Sequence, residues 1–199
     1  MIEKGLTEGM NRFYFLLKAS ILFWILSLLG GLFLGIAPAF LTLIEVIGEV
    51  NWDYKELSFS KMKPLFFENF KQGNQLLYTT FFVCVFLFLS LYTASQMTGM
   101  LFLMISFLLV VLLIMIIVAS FLGFVIASRY DISLKNLIKL SLILFFKEIK
   151  ASLTITFFII LFSILLIKLP GLTFFAGSGL MAYFLNNLGE KLEKSLVFE

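Results

Sequence analysis

Histidine is absent from this chain of 199 residues, and cysteine occurs once, at Cys84. Without histidine the commonest general base and the commonest metal ligand are missing, together with every Ser-His or Cys-His arrangement. A lone cysteine forms no internal disulfide, and Cys84 reads as a small core residue. Asp53 and Asp131 are the only aspartates, and both fall in charged loops. An intramembrane aspartyl protease or a zinc hydrolase therefore lacks its raw material. No cofactor is called for, and the sequence reads as that of a non-enzyme. Nor is there a run of Arg or Lys with interleaved aromatics on a polar face, which excludes nucleic acid as the expected partner.

Charge is missing over long stretches. From Gln72 to Ser128, 57 residues pass without an Asp, Glu, Lys or Arg, and Ala19 to Ile44 is also uncharged. A soluble helix must show water a polar face, which such runs cannot do. A bilayer span takes ~20 apolar residues, so the longer run holds two spans joined by the turn Ser95-Gln96-Met97-Thr98-Gly99. A hydrophobic content of 61% and a mean hydropathy of +1.08 lie far above the roughly 45–50% apolar content of soluble domains. The expected fold is all-α: one polytopic membrane helical bundle over residues 1–199.

Spans are expected at about 13–36, 74–94, 100–127, 152–169 and 171–189, with interfacial helices at about 37–50 and 132–150. A signal peptide cleaved at Ala37-Pro38-Ala39 is rejected, because the apolar stretch exceeds the ~7–15 residues of such a segment. One helix from Phe13 to Val50 would be about 57 Å long at ~1.5 Å per residue, nearly twice the hydrocarbon core. It must break, and Gly35-Ile36-Ala37-Pro38 is the obvious place. Either span 1 continues into a short interfacial helix after Pro38, or the chain makes a re-entrant hairpin back to its starting side. With five spans, the loops after spans 1 and 3 and the tail carry eleven Lys or Arg. The opposite side carries four, namely Lys4, Arg12, Lys18 and Lys168. The positive-inside rule then puts the N-terminus outside and the C-terminus in the cytoplasm.

Several residues stand out for recognition. Gly31 and Gly35, one helical turn apart, together with Pro38, suggest a face for close helix packing or contact with a partner. Glu45 and Glu49, at i and i+4, are candidate interfacial carboxylates, with a solvated or salt-bridged face as the plainer reading. Lys135, Lys139, Lys147 and Lys150 fall within an arc of about 120° on one helix. That basic stripe suits anionic lipid or a cytoplasmic docking partner. No ionisable residue lies deep in spans 2 to 5, which argues against an ion-coupled transporter.

The stretch Leu28-Leu29-Gly30-Gly31-Leu32-Phe33-Leu34-Gly35-Ile36-Ala37-Pro38-Ala39 resembles the opening of the YesL-like family of bacterial membrane proteins. Trp52 matches that family's Trp-containing linker. Phe66-Phe67-Glu68-Asn69-Phe70-Lys71-Gln72-Gly73-Asn74 matches its segment before span 2, with Asn69, Phe70, Lys71 and Asn74 as the distinctive positions. Thr42 replaces a small residue. The resemblance supplies no catalytic residues. It implies association with carbohydrate ABC importers of Gram-positive bacteria, hence permease subunits and solute-binding lipoproteins as partners. Two functions follow as expectations: an accessory subunit supporting the assembly, stability or activity of such an importer, or a small oligomeric transporter or channel acting alone.

Overall fold

The computed structural model describes residues 2–50 and 52–197, with side chains described for 7–50 and 52–194. Lys4, counted above, lies outside the described side chains. Among the described residues there are eight helices and no strand. They are α1 (Ile2–Leu29), α2 (Ile36–Val50), α3 (Phe59–Glu68), α4 (Phe70–Ser95), α5 (Met100–Ala127), α6 (Leu134–Lys147), α7 (Ile149–Lys168) and α8 (Pro170–Val197).

The first turn sets the topology. α1 stops at Leu29 because Gly31 takes up a left-handed φ of 76°. The Leu32 amide then donates to the Ser27 carbonyl at 2.8 Å and the Gly31 amide to Leu28 at 3.0 Å. Those two bonds are the Schellman pattern, in which a left-handed residue satisfies the last carbonyls of a helix. Leu32, at φ 56°, continues the reversal, and the Ile36 and Ala39 amides, bonded to Leu32 and Gly35, begin α2. Gly35 is buried against the Ser27 carbonyl, where no side chain fits.

α2 therefore runs back along α1. The Phe40 ring lies 6.4 Å from Phe23, and beyond the end of α2 Trp52 lies 5.3 Å from Phe15 and Tyr54 5.1 Å from Tyr14. At 15 residues α2 is only about 22 Å long, too short for a hydrocarbon core of ~30 Å. Of the two layouts expected around Pro38, the hairpin returning to the starting end is the one observed. Two expectations are corrected. The first apolar helix ends at Leu29 and not Ile36, and Gly31 and Gly35 share no helix face. Gly31 is exposed in the turn with nothing around it, because adjacent glycines end a helix more cheaply than proline breaks one. Pro38 sits within the first turn of α2, where a missing amide proton forfeits no helical bond.

Two more hairpins complete the bundle. α4 and α5 join through a turn at Gly99, and their inner ends pack on α2. The Gly73 backbone lies against Pro38, and the Phe124 ring lies 5.6 Å from Phe40. α7 and α8 join at Pro170, with Phe158 stacked on Phe184 at 3.8 Å. α8 then descends antiparallel to α1: Phe174 stacks on Trp24, Gly179 meets Leu16 and Ser20, and Tyr183 meets Trp52. α6 packs through buried Leu137, Ser141 and Leu144.

Three antiparallel hairpins return both the start of α1 and the end of α8 to one end of the bundle. The expectation of chain ends on opposite sides treated α1 and α2 as a single crossing, and the turn at Gly31 removes that premise. Among the described residues, four helical stretches are long and apolar enough to cross a membrane: Thr7–Leu29, Phe70–Ser95, Met100–Ala127 and Ile149–Lys168. α8 is not among them, being diluted by Gly177-Ser178-Gly179 and Asn186-Asn187. The fold is an all-α helical membrane bundle. Its centre is α2, buried without a break from Ala37 to Ile44. By contrast, from Leu77 to Ile117 only Ala94 is buried.

The tightest helix crossing tests this topology. A Cβ at Gly179 would stand 2.6 Å from the Leu16 carbonyl oxygen, whereas one at Gly171 would meet nothing within 4 Å. Gly179→Ala should destabilise the protein by about 1–3 kcal/mol through overpacking, measured by thermal unfolding in detergent. Gly171→Ala should leave the midpoint unchanged or slightly raised, and equal midpoints for both variants would contradict the α1–α8 contact.

Candidate functional site

Polar groups converge at the end of the bundle where both chain ends lie. Glu45 and Glu49 stand one turn apart on α2, as their spacing predicts, and each finds a partner. Glu49 pairs with Lys61 of α3 at 2.9 Å, in a half-exposed setting. Glu45 accepts from the Asn69 amide at 2.8 Å, and the same nitrogen lies 3.3 Å from the Thr42 hydroxyl. Asn69 is the joint between α3 and α4. Two features that stood apart in the sequence, the carboxylate pair and the Asn69-Phe70-Lys71 segment, thus meet, and Thr42 takes part. Phe70 packs on Phe66 at 5.7 Å, Lys71 is exposed, and Asn74 donates to the Phe70 carbonyl at 2.8 Å.

Arg129, not among the residues singled out from the sequence, is the hub of this end. Its side chain is 13% exposed, and its Nε pairs with Glu193 at 3.1 Å. One terminal nitrogen donates to both the carbonyl and the side-chain oxygen of Asn186 at 2.9 Å. The other reaches the Val125 carbonyl at 3.4 Å and the Ser128 hydroxyl at 3.3 Å. The guanidinium lies flat against Gly189, where any side chain would overlap it. Such charge-assisted bonds are the strong ones, and here they tie the end of α5 to α8. A signal was available: Arg129 is one of only two arginines and closes the longest uncharged run. Arg12, the other, lies over the Trp52 ring at 5.2 Å, a cation–π contact at the same end.

Glu45, Glu49, Arg129, Asn186, Glu190 and Glu193 line a cavity of about 300 Å³. Burial raises the Glu45 carboxyl above its ordinary range. The Asn69 hydrogen bond opposes that shift, and the nearby charges of Glu49 and Glu68 add to it. Among the described residues no group of three or more His, Cys, Asp or Glu is placed to hold a metal ion. The arrangement locks α2, α4, α5 and α8 together around carboxylates in excess over cations.

A second cavity, of about 500 Å³, is of another kind. Phe23, Trp24, Phe40, Phe121, Phe162 and Phe174 dominate its walls, with hydroxyls only from Ser120, Thr173 and Ser178. Trp24 is fixed in the wall by its Nε1, which donates to the Phe174 carbonyl at 3.0 Å. The volume falls within the ~300–1,000 Å³ of small-molecule sites, but the walls offer binding to apolar groups and no acid–base chemistry.

The basic stripe is divided. Lys135 and Lys139 face outward from α6, opposite its buried Leu137, Ser141 and Leu144. At Glu148 the backbone turns to φ −106° and ψ 60°, so one helix does not run from 132 to 150. Lys147 ends α6, whereas Lys150 belongs to α7 and stands opposite Lys191 of α8. Residues 145–150 mix apolar and charged side chains without a glycine or proline, and nothing local to the sequence marks the bend.

The Glu45 environment carries a pH dependence with a definite sign. Its folded-state pKa lies above the ordinary 4.5, so between those values the folded protein holds the extra proton. Stability therefore falls as pH rises from about 4.5 through the raised value. Glu45→Gln keeps an acceptor for Asn69 without the buried charge. It should unfold at a higher temperature than the parent at pH 8, with the gap closing at pH 4; a gap that widens on acidification would contradict the assignment.

Residues 16–91 match the model of a family described as a protein of unknown function, DUF624. The matched region runs from within α1 to the outer part of α4, taking in the Gly31 turn, the Glu45–Asn69 contact and the Gly73–Pro38 crossing. No match to the chain is found among curated proteins or solved structures. To that extent the chain is similar to a family without an assigned activity.

Proposed function

We propose that this protein is an accessory integral membrane subunit that acts by lateral contact with another membrane protein. The observation carrying this reading is the outer part of the α4–α5 hairpin. From Leu77 to Ile117 its single buried residue is Ala94, and Phe82, Phe86 and Leu89 form one exposed face at i, i+4 and i+7. Away from their inner ends, where Tyr78 donates to the Phe33 carbonyl, the two helices present apolar surface, on which a transmembrane partner packs by van der Waals fit. The resemblance to YesL-like proteins supplies the partner class: permease subunits of a bacterial carbohydrate ABC importer, whose assembly, stability or activity the protein supports.

The lysine-rich end faces the cytoplasm. Arg12, Lys18, Lys61, Arg129, Lys150 and Lys191 all belong to the end that holds both chain termini, while Lys168 stands at the other end beside the α7–α8 turn. The positive-inside rule then orients the protein with both termini cytoplasmic, in place of the N-outside arrangement expected from five spans. Reporters fused to the two ends should both be active only in their cytoplasmic forms; an extracellular N-terminal reporter would overturn this orientation.

Affinity purification of the tagged protein from its own host's membranes in mild detergent should recover permease subunits. Replacing Phe82, Phe86 and Leu89 together by Ala should cut that recovery several-fold with little change in the thermal midpoint, since these side chains are exposed and form no part of the buried core. Recovery of the chain alone, or solute flux in liposomes containing only this chain, would count against the accessory role.

A further inference from the structure

Between α7 and α8, at the charged end, lies a cavity of about 310 Å³ unrelated to the Arg129 cluster. Lys150 and Lys191 stand at its walls with Thr154 and Asn187, over an apolar surface that includes Phe184 and Leu188. Glu148 also lines it, leaving two ammonium groups against one carboxylate. Both lysines are exposed, and neither pairs with a carboxylate among the described residues. The Asn187 side-chain amide makes no hydrogen bond among the described residues, whereas Thr154 spends its proton on the Lys150 carbonyl at 2.7 Å. Three donor groups from two helices thus border one pocket, with a carbon-lined wall beside them.

We infer that this pocket binds the phosphate headgroup of an anionic bilayer lipid, with Lys150, Lys191 and Asn187 donating to the phosphate and the first acyl carbons resting on Phe184 and Leu188. Its position fits such an occupant. The same end carries the aromatic pairs Tyr14–Tyr54 and Trp52–Tyr183, and such side chains mark the level of the headgroups. Basic pockets between membrane helices on the cytoplasmic side suit anionic headgroups in general. Charge selects the headgroup, and the apolar wall favours a lipid over a free anion. The site differs from a basic helix attracting a charged surface diffusely, because Lys135 and Lys139 lie outside it. It does not depend on the accessory role, only on the lysine-rich end lying at a bilayer surface.

Native mass spectrometry of the delipidated full chain, titrated with phosphatidylglycerol and phosphatidylcholine of identical acyl chains, tests the inference. One phosphatidylglycerol per chain should bind preferentially. Lys150→Gln with Lys191→Gln should weaken it roughly 30-fold, following from the attraction expected of two basic residues. Lys150→Arg with Lys191→Arg should retain the preference, as should Lys135→Gln with Lys139→Gln, and all variants carry substitutions at exposed positions whose folding circular dichroism checks. Equal binding of the two lipids would overturn the site. So would an undiminished preference in the double Gln variant, or an equal loss when Lys135 and Lys139 are neutralised instead. Displacement of the lipid by inorganic phosphate at matching concentration would reassign the pocket to free anions and overturn the lipid assignment.

Discussion

A helix surrounded by lipid has no water to receive its last carbonyls, so it ends only where the chain itself supplies donors. In this protein the deciding place is the junction after Leu29. The amides of Gly31 and Leu32 return to Leu28 and Ser27, and the chain reverses inside an apolar stretch that is otherwise uninterrupted from Ala19 to Ile44. That reversal turns one long expected crossing into a hairpin of a long and a short helix. The number of passages, the location of both chain ends and the gathering of basic residues all follow from it.

The reversal also makes α2 the axis of the bundle. A helix too short to span is stable only if other helices cover it, and α1, α4, α5 and α8 do so. The cover is apolar where α2 begins and polar where it ends. Phe23, Phe40 and Phe124 interlock around its first half, while Glu45 and Glu49 on its last turns draw Asn69 and Lys61 to them. The exposed Glu49–Lys61 pair contributes little on its own, about 0–1 kcal/mol. Arg129 matters more, because its guanidinium is largely buried and five acceptors saturate it. Removing such a residue would leave those acceptors without a donor in a poorly solvated place.

Much of the architecture was legible because lipid imposes simple rules. Absence of charge marked α5 at Met100–Ala127, the same bounds found in the structure, since Gly99 and Arg129 bracket it on either side. α4 and α7 begin a few residues before their expected starts, because helical bonding already includes Phe70-Lys71 and Ile149-Lys150 ahead of the uncharged run. The turn at Gly31 was misread: Gly-x-x-x-Gly has the same spacing in a packed helix as in a helix end followed by a restart. Two further features could not be placed from the local sequence alone. The bend at Glu148 interrupts a stretch with unbroken helical propensity, and the role of Arg129 depends on Asn186 and Glu193, some sixty positions away.

Composition alone determined that the chain is helical and membrane-embedded, and the lack of histidine and the scarcity of aspartate narrowed its chemistry, because these follow from which side chains lipid tolerates and which can move protons. What only the tertiary structure decided was direction. Whether an apolar segment continues or doubles back depends on a pair of backbone hydrogen bonds and on the helices that cover the returning limb. Those same contacts decide which distant charges become neighbours, since a one-dimensional pattern records the spacing of residues along a helix but not the partner that the helix is folded against.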